Sequence, residues 1–453
     1  GGGFAGLNLL KRLKRGRYRI RLVDRNNYHY FPPLFYQVAS SGLDASNIAF
    51  PLRRELKKRH DVTYHMGHVK NIDLEAKTVT TSYETLRYDK LVLACGTTNN
   101  YFGMEGMDRL TFGMKSVSEA IRLRDEILDR LERGAICKDV ERRRQLLSFV
   151  VVGGGPAGVE IAGALGEMKK YVVPREYPEI DPKEVSLRLV EGSGSLLSAM
   201  GEKSGRKAMQ YLRELECEVC LNTTVRQYGE DKMLLFGDGR EEYCETVVWT
   251  AGVRGVPLPG FDPSVTGRNG RILVDRRMRV EGMTDVYAIG DCATVWSNAL
   301  AAETYIALAT NAVRSGIVAG HNIGGTRLDS IGVQGSNGIS IFGYNMVSTG
   351  LSVAAATRAG LDVCHADFED LQRPGFMREN ANVKIRIVSE RGSRRVVGAQ
   401  MASTEDISMG IHMFSLAIEE GVTIDKLKLL DIFFLPHFNQ PYNYITMCAL
   451  GAE

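Results

Sequence analysis

The apolar positions of the chain fall into short unbroken runs and longer spaced ones. LLSFVVV is an unbroken run of the kind a doubly buried strand shows, and VEIAGALGEMKKYVV, beyond the turn GGGPAG, spaces its apolar residues as a helix does. Taken whole, LLSFVVVGGGPAGVEIAGALG is about as long as a membrane span. Its glycines, Pro156 and Glu160 predict strand, turn and helix instead. The same turn opens the chain as GGGFAG, with NLLKRLKR reading as a helix and RYRIRLVD as a strand ending at Asp24. By analogy with the second copy, a short apolar strand is expected ahead of Gly1, without which the sheet would lack a central strand. SLRLVE reads as a strand ending at Glu191, and TDVYAIGDCA as a buried strand, a glycine turn and Asp291. Further strands are read in NGISIFGYNMVSTGL, NVKIRIVSE and RRVVGAQMAS, and a helix in SMGIHMFSLAIEEG. His65 and His68 fall in one expected strand, where residues three apart point to opposite faces and share no metal.

The repeated turn carries a chemistry. Gly1 and Gly153 would make the tight turn, Gly3 and Gly155 would let the backbone approach a pyrophosphate, and Gly6 and Gly158 would let helix and strand pack closely. The helix start then offers N–H groups and a partial positive charge to the phosphates. Asp24 and Glu191 are placed to accept ribose hydroxyls; the alternative for either is a solvated strand end. A carboxylate at Glu191 would repel a 2′-phosphate and so favours NADH over NADPH. Two such sites suggest one resident and one exchangeable cofactor.

Composition narrows the partners. A net charge of +3 from 57 basic and 54 acidic residues gives no general attraction to nucleic acid or membrane, which leaves a small-molecule partner. Eight cysteines without framework spacing favour a reducing compartment, and cytoplasm is expected. Cys217 and Cys220 have redox or zinc spacing but lack a second pair or a nearby histidine, and the basic run Lys11 to Arg17 reads as a solvated helix end.

With TDVYAIGDCA added, the chain resembles the two-dinucleotide-binding-domain flavoproteins. The resemblance implies an α/β fold of two Rossmann-like domains, glutathione reductase-like, followed by an α/β dimerisation domain. It assigns 1–110 and 254–328 to FAD, 111–253 to NAD and 329–453 to the dimer interface. Asp291 would hold the FAD ribityl chain, and the helix starting at Leu308 and Ala309 would aim its amides at flavin O2. YDKLVLACGTTNN and VVWTAGV are similar to the strands at the two crossovers. The resemblance implies cofactor contacts at Val69, Ala94, Gly96 and Gly252, with Cys95 standing where Thr or Ser is usual.

Within that family NNYHYFPPLFYQVASSGLD lacks the redox cysteine many members carry and is similar to type II NADH dehydrogenases, which implies flavin contacts from Pro33, Leu34 and Gln37. GPAGVEIAGAL is similar to the same enzymes. It implies Glu160 between the nicotinamide and flavin, against the alternative of a first-turn carboxylate offsetting the helix dipole. ETYIALATNAVRSGIVAGHNIGG and FFLPHFNQPYNYITMCAL resemble instead the NADH oxidase, NADH peroxidase and coenzyme A disulfide reductase group. That likeness implies a homodimer whose tail brings His437 near the partner's flavin, packing being the other reading of His437, and any membrane contact would be at most peripheral. Phe4 stands where those oxidases keep a histidine. The expected activity is hydride transfer from NADH to FAD and on to oxygen or a quinone. The alternatives are a non-catalytic NADH sensor and a coenzyme A disulfide reductase-like enzyme.

Overall fold

The computed structural model describes residues 1–452. Helix α1 (Phe4–Arg12) begins after the first three glycines, takes in Gly6 and buries Leu7, Leu9 and Leu10. The chain returns as β1 (Ile20–Asp24), passes through α2 (Phe35–Ala39), and continues as β2 (Val62–Met66), parallel to β1 with Ile20 opposite Val62. His65 lies in β2, whereas His68 lies in the connection beyond it, so the single strand expected there is interrupted. The expected YDKLVLACGTTNN strand likewise divides into β3 (Leu91–Leu93) and β4 (Thr97–Asn99), because Gly96 takes φ +65°.

The second unit starts with α3 (Val117–Ile136), whose cap is reciprocal: Glu119 N–H donates to Ser116 Oγ at 3.1 Å, and Ser116 Oγ–H donates back to Glu119 Oε2 at 3.2 Å. Strand β5 (Ser148–Val152) runs into α4 (Pro156–Glu167) and is followed by β6 (Ser186–Val190), β7 (Glu218–Cys220) and β8 (Thr246–Trp249). The sheet order is β7-β6-β5-β8, all parallel, and β5 is apolar throughout its buried length because helices cover both faces. The helix expected over VEIAGALGEMKKYVV is not uniform. It widens into a π turn at Met168–Val172, where buried Lys169 reaches Glu216 at 3.1 Å. Strand β9 (Val253–Gly255) pairs antiparallel with β4, Asn99 opposite Val253, and forms a two-stranded connector between the units.

Beyond the connector, β10 (Val286–Ala288) returns to the first unit, parallel to β3, and α5 (Ala309–Ile323) packs on α1. The contact is backbone on backbone, since a Cβ on Gly316 would lie 2.3 Å from the carbonyl oxygen of Ala5.

The C-terminal part is an antiparallel sheet of β11 (Asn337–Ile341), β12 (Tyr344–Gly350), β13 (Val363–Leu371), β14 (Asn382–Glu390) and β15 (Val396–Ser403), in the order β11-β12-β15-β14-β13. Helix α6 (Ser408–Glu419) lies against β12 and β15. Strand β13 was not expected from its sequence. It carries His365, Asp367 and Glu369 on an exposed edge, and Asp367 pairs with Arg386 of β14 at 2.7 Å. Phe342, in the turn between β11 and β12, covers Gly163 of α4, where a Cβ would come within 2.7 Å of its ring, and so ties this sheet to the second unit. Among the described residues no helix is long and apolar enough to cross a membrane.

Replacing Gly316 by Ala should push α5 off α1, since a carbonyl oxygen cannot rotate away. We expect a loss of about 2 kcal/mol in stability, read by thermal unfolding of the isolated protein. An unchanged melting temperature would show that the two helices have slack.

Candidate functional site

The two glycine turns are built alike, atom for atom. The Gly1 nitrogen donates to Val23 O at 2.9 Å, as Gly153 N donates to Val190 O at 2.8 Å. Gly2 N donates to Asp24 Oδ2 at 2.6 Å and Asn26 N to Oδ1 at 2.8 Å; Gly154 N and Ser193 N do the same to Glu191 at 2.6 and 2.7 Å. A Cβ on Gly6 would stand 2.0 Å from Gly1 O, and one on Gly158 1.8 Å from Gly153 O, so neither helix could approach its turn with a larger residue. Gly3 and Gly155 face open space, nothing lying within 4 Å of a Cβ there. Neither α1 nor α4 has a side-chain cap or a first-turn acid, which leaves its first amides free for an anion. Each carboxylate oxygen keeps a lone pair for a ribose hydroxyl.

Asp291 follows β10 in a short turn that Gly290 opens at φ +72°, its N–H donating to Ser315 Oγ of α5 at 2.8 Å. Burial raises the Asp291 pKa, opposed by the nearby charges of Lys115 and Arg271, and no hydrogen bond partners its carboxylate among the described residues. Helix α5 begins at Leu308 with no side-chain cap and no first-turn acid, so its amides are also free. Val69 and Ala94 are partly buried in one apolar cluster, and Gly96 turns the chain beside them. The Cys95 thiol is held well above its ordinary pKa by contact with the Cys292 thiol and by burial. This donor set fits FAD: a glycine cradle that any Cβ would fill, two uncapped helix starts and an unpartnered half-buried carboxylate.

Pro33 and Leu34 form a tight turn leading into α2, which carries Gln37 and packs on both α3 and α4. Glu160 projects from α4 without a hydrogen bond or ion pair among the described residues, and burial lifts its pKa to about 7. Gly252 sits at φ +143° between β8 and β9, with the Phe102 ring 3.5 Å from where a Cβ would be.

Residues 1–316 match the pyridine nucleotide-disulphide oxidoreductase family, and residues 338–443 match the dimerisation domain of the same family. The chain belongs to the pyridine nucleotide-disulphide oxidoreductases. Curated relatives include an NADH oxidase of Streptococcus pyogenes, 40% identical over 417 residues that cover 88% of this chain and 86% of the relative. A type II NADH:quinone oxidoreductase of Mycobacterium tuberculosis is 36% identical over 303 residues, 64% of each chain. Among solved structures, the water-forming NADH oxidase of Lactobacillus brevis bound to NADH superposes with a TM-score of 0.82 at 23% identity, covering 98% of this chain and 95% of that one.

In this pyridine nucleotide-disulphide oxidoreductase the segment after Asp24 holds no cysteine until Cys95. Phe4 fills the space on α1 with a ring packed edge-on against His29 at 5.0 Å, and His29 Nδ1 lies 3.2 Å from Gly2 O. Burial lowers the His29 pKa and so favours the neutral imidazole. Sequence reasoning passed over His29, Lys115 and Arg271; the only local signal was Lys115 preceding the Ser116 to Glu119 capping pattern. His437 lies elsewhere, exposed in the turn after Leu435, on a segment tied to the C-terminal sheet by Gln372 Nε2 donating to Phe438 O at 3.5 Å.

Glu191→Gln removes the charge that would repel a 2′-phosphate; it also gives up one of the two backbone N–H bonds to the turn, a loss that weakens both nucleotides and so cancels in their ratio. The ratio of kcat/KM for NADH over NADPH should fall about tenfold, a charge-assisted hydrogen bond being worth roughly 1.5–3 kcal/mol. An unchanged ratio would place the ribose elsewhere.

Proposed function

We propose that this flavoprotein oxidises NADH and passes the electrons to molecular oxygen, with hydrogen peroxide as the main product. What carries the reading is the extent of the likeness: the NADH oxidase relative matches over 88% of the chain, whereas the match to the quinone enzyme extends over 64%. Bound FAD supplies the two-electron relay between nicotinamide and acceptor. The chain's own residues do the positioning. Glu191 and the α4 amides fix NADH, while Asp24, the α1 amides and Asp291 fix FAD. The uncapped amides at the start of α5 would offset negative charge on a reduced flavin bound there. Pro33, Leu34 and Gln37 shape the flavin's surroundings from α2 and the turn before it.

The exposed apolar side chains of the C-terminal segment, Leu429 (90% exposed), Phe433 (66%) and Tyr442 (75%) among them, support a homodimer in which the partner covers this face. His437 lies on the same segment, which supports its reading as a donor to the acceptor bound at the partner's flavin. Eight free cysteines fit a reducing cytoplasm.

With no redox cysteine in the flavin segment, oxygen reduction should halt at peroxide. Holoenzyme consuming NADH in air should return half of the consumed oxygen when catalase is added. Stoichiometric water formation, or NADH oxidation only when a quinone is supplied without oxygen, would sink this reading.

Glu160 gives the reaction a pH dependence. Its carboxylate stabilises the positive charge that the nicotinamide gains as hydride leaves, so the protonated form is the slower one. The rate of flavin reduction by NADH should rise about three- to tenfold as pH passes through about 7. In Glu160→Gln the profile should be flat at the low-pH rate, as stopped-flow absorbance would record; a variant that keeps the wild-type rise would free Glu160 of this role.

A further inference from the structure

The end of the first unit away from its glycine turn is crowded with positive charge. The last turn of α1 and the loop beyond it expose Lys11, Arg12, Lys14, Arg15, Arg17 and Arg19. The stretch ahead of β2 exposes Arg53, Arg54, Lys57 and Lys58. The fold joins these two runs, which are far apart in the chain. Gly16 N donates to Asp61 Oδ2 at 3.3 Å, Ile20 N donates to Asp61 O at 3.0 Å, and Ile20 opens β1 opposite Val62 of β2. Asp24, which holds the glycine turn, is at the other end of the same strand. The run Lys11 to Arg17, expected as a solvated helix end, is therefore half of a larger charged surface.

The joined runs hold eleven lysines and arginines against two carboxylates, Glu55 and Asp61. Asp61 is committed to Arg59 at 2.8 Å, which leaves Glu55 to face ten exposed cations. None of the ten has an ion pair among the described residues, and the end of α5, packed beside Tyr18, brings no carboxylate. The whole chain carries a net charge of +3, so everything outside the two runs is negative on balance. Like charges gathered this way repel one another until an opposite charge covers them.

The setting of the charge selects the partner. No exposed Phe, Tyr or Trp stands among the cations: Tyr18 donates its hydroxyl to Ile323 O at 3.1 Å, and Tyr64 is buried, with the Arg53 guanidinium 5.1 Å from its ring centre. The bases of a single strand would have nothing to stack on. Helical residues enter the surface only at the end of α1 and in the single turn Leu52–Glu55, so no helix is presented to a duplex groove. Cations spread over turns and strand ends, without stacking rings or a reading helix, match a charge that is itself spread over a plane, as on an anionic lipid bilayer.

We propose that this end of the first unit docks the protein on anionic lipid bilayers, by charge and without insertion, with the Asp24 turn at the far end of the strand from the lipid. The test is sedimentation of the holoenzyme with vesicles of phosphatidylcholine, either alone or with a third of the lipid replaced by phosphatidylglycerol. The holoenzyme should bind the anionic vesicles and not the neutral ones, and about 1 M salt should release it, since screening then shortens the reach of charge to ~3 Å. The pair Lys14→Glu with Arg15→Glu, and the pair Lys57→Glu with Lys58→Glu, should each weaken binding about tenfold or more, and all four together about a hundredfold or more. NADH oxidation in solution should be unchanged in each. Lys138→Glu with Arg226→Glu, exposed positions on the second unit, should bind as the wild type does. Where a Glu pair does not fold, the Gln version of the same pair reads the same loss at smaller size.

Equal binding to neutral vesicles, binding that survives high salt, or wild-type binding by the combined variant would overturn the proposal. So would an equal loss in the Lys138→Glu, Arg226→Glu protein, which would spread the effect over the whole surface. Tighter binding to duplex DNA or single-stranded RNA than to the anionic vesicles at the same salt would assign this surface to nucleic acid instead.

Discussion

A carboxylate at the tip of one strand holds the glycine turn beside it, and everything that binds a nucleotide here depends on that hold. Asp24 and Glu191 each accept two backbone N–H groups from their own turn and the turn next door. The helix start is thereby aimed before any ligand arrives. Charge-assisted bonds of this kind are roughly twice as strong as neutral ones, and they fix the direction of a helix dipole that would otherwise swing with the loop. Close packing completes the arrangement: at Gly6, Gly158 and Gly316 backbone meets backbone, so the helices cannot settle at another height.

That duplication explains why so much of the site was legible in the sequence. A glycine required by a close approach has no substitute, and an acid at the end of the following strand is a local feature too, so GGGFAG, GGGPAG, Asp24 and Glu191 announce themselves. Lys115 and Arg271 do not. Their charges act on Asp291 from positions far apart in the chain, and a lone lysine or arginine in a sequence reads as solvated surface until the fold closes around it. Strand β13 escaped notice for a related reason. Its acids and histidine alternate on an exposed edge, where pairing to β14 and an ion pair replace the apolar run that marks a central strand. The π turn after α4 and the break at Gly96 were equally silent, since each depends on what the chain meets rather than on its local composition.

The connector deserves its place in the chemistry because it is short and shared. Among the described residues only β4 and β9 join the two units as paired strands, with Asn99 opposite Val253; Asn99 bonds Glu119, which accepts the Lys115 backbone N–H, and the Val253 carbonyl accepts from Arg271. Relative movement of the units would therefore shift Lys115 with respect to Asp291, while Arg271 stays with Asp291, its neighbour Ile272 donating its N–H to Cys292 O at 2.8 Å.

Hydride transfer creates charge in two places, positive on the nicotinamide that loses it and negative on the flavin that gains it. Two half-buried groups of opposite charge have no hydrogen bond or ion pair among the described residues: Glu160 on the helix of the second glycine turn, and Lys115, whose charge Asp291 and Glu119 offset from a distance. Half-buried charges act over distance with less screening than surface ones. Under the proposed function Glu160 would favour the positive charge that hydride loss leaves on the nicotinamide. Burial pulls the two groups in opposite senses, raising the acid's pKa and lowering the amine's. Fixed charges held ahead of the reaction in this way replace the reorganisation that water would otherwise have to make, and that requires a scaffold as tightly interlocked as the two glycine turns.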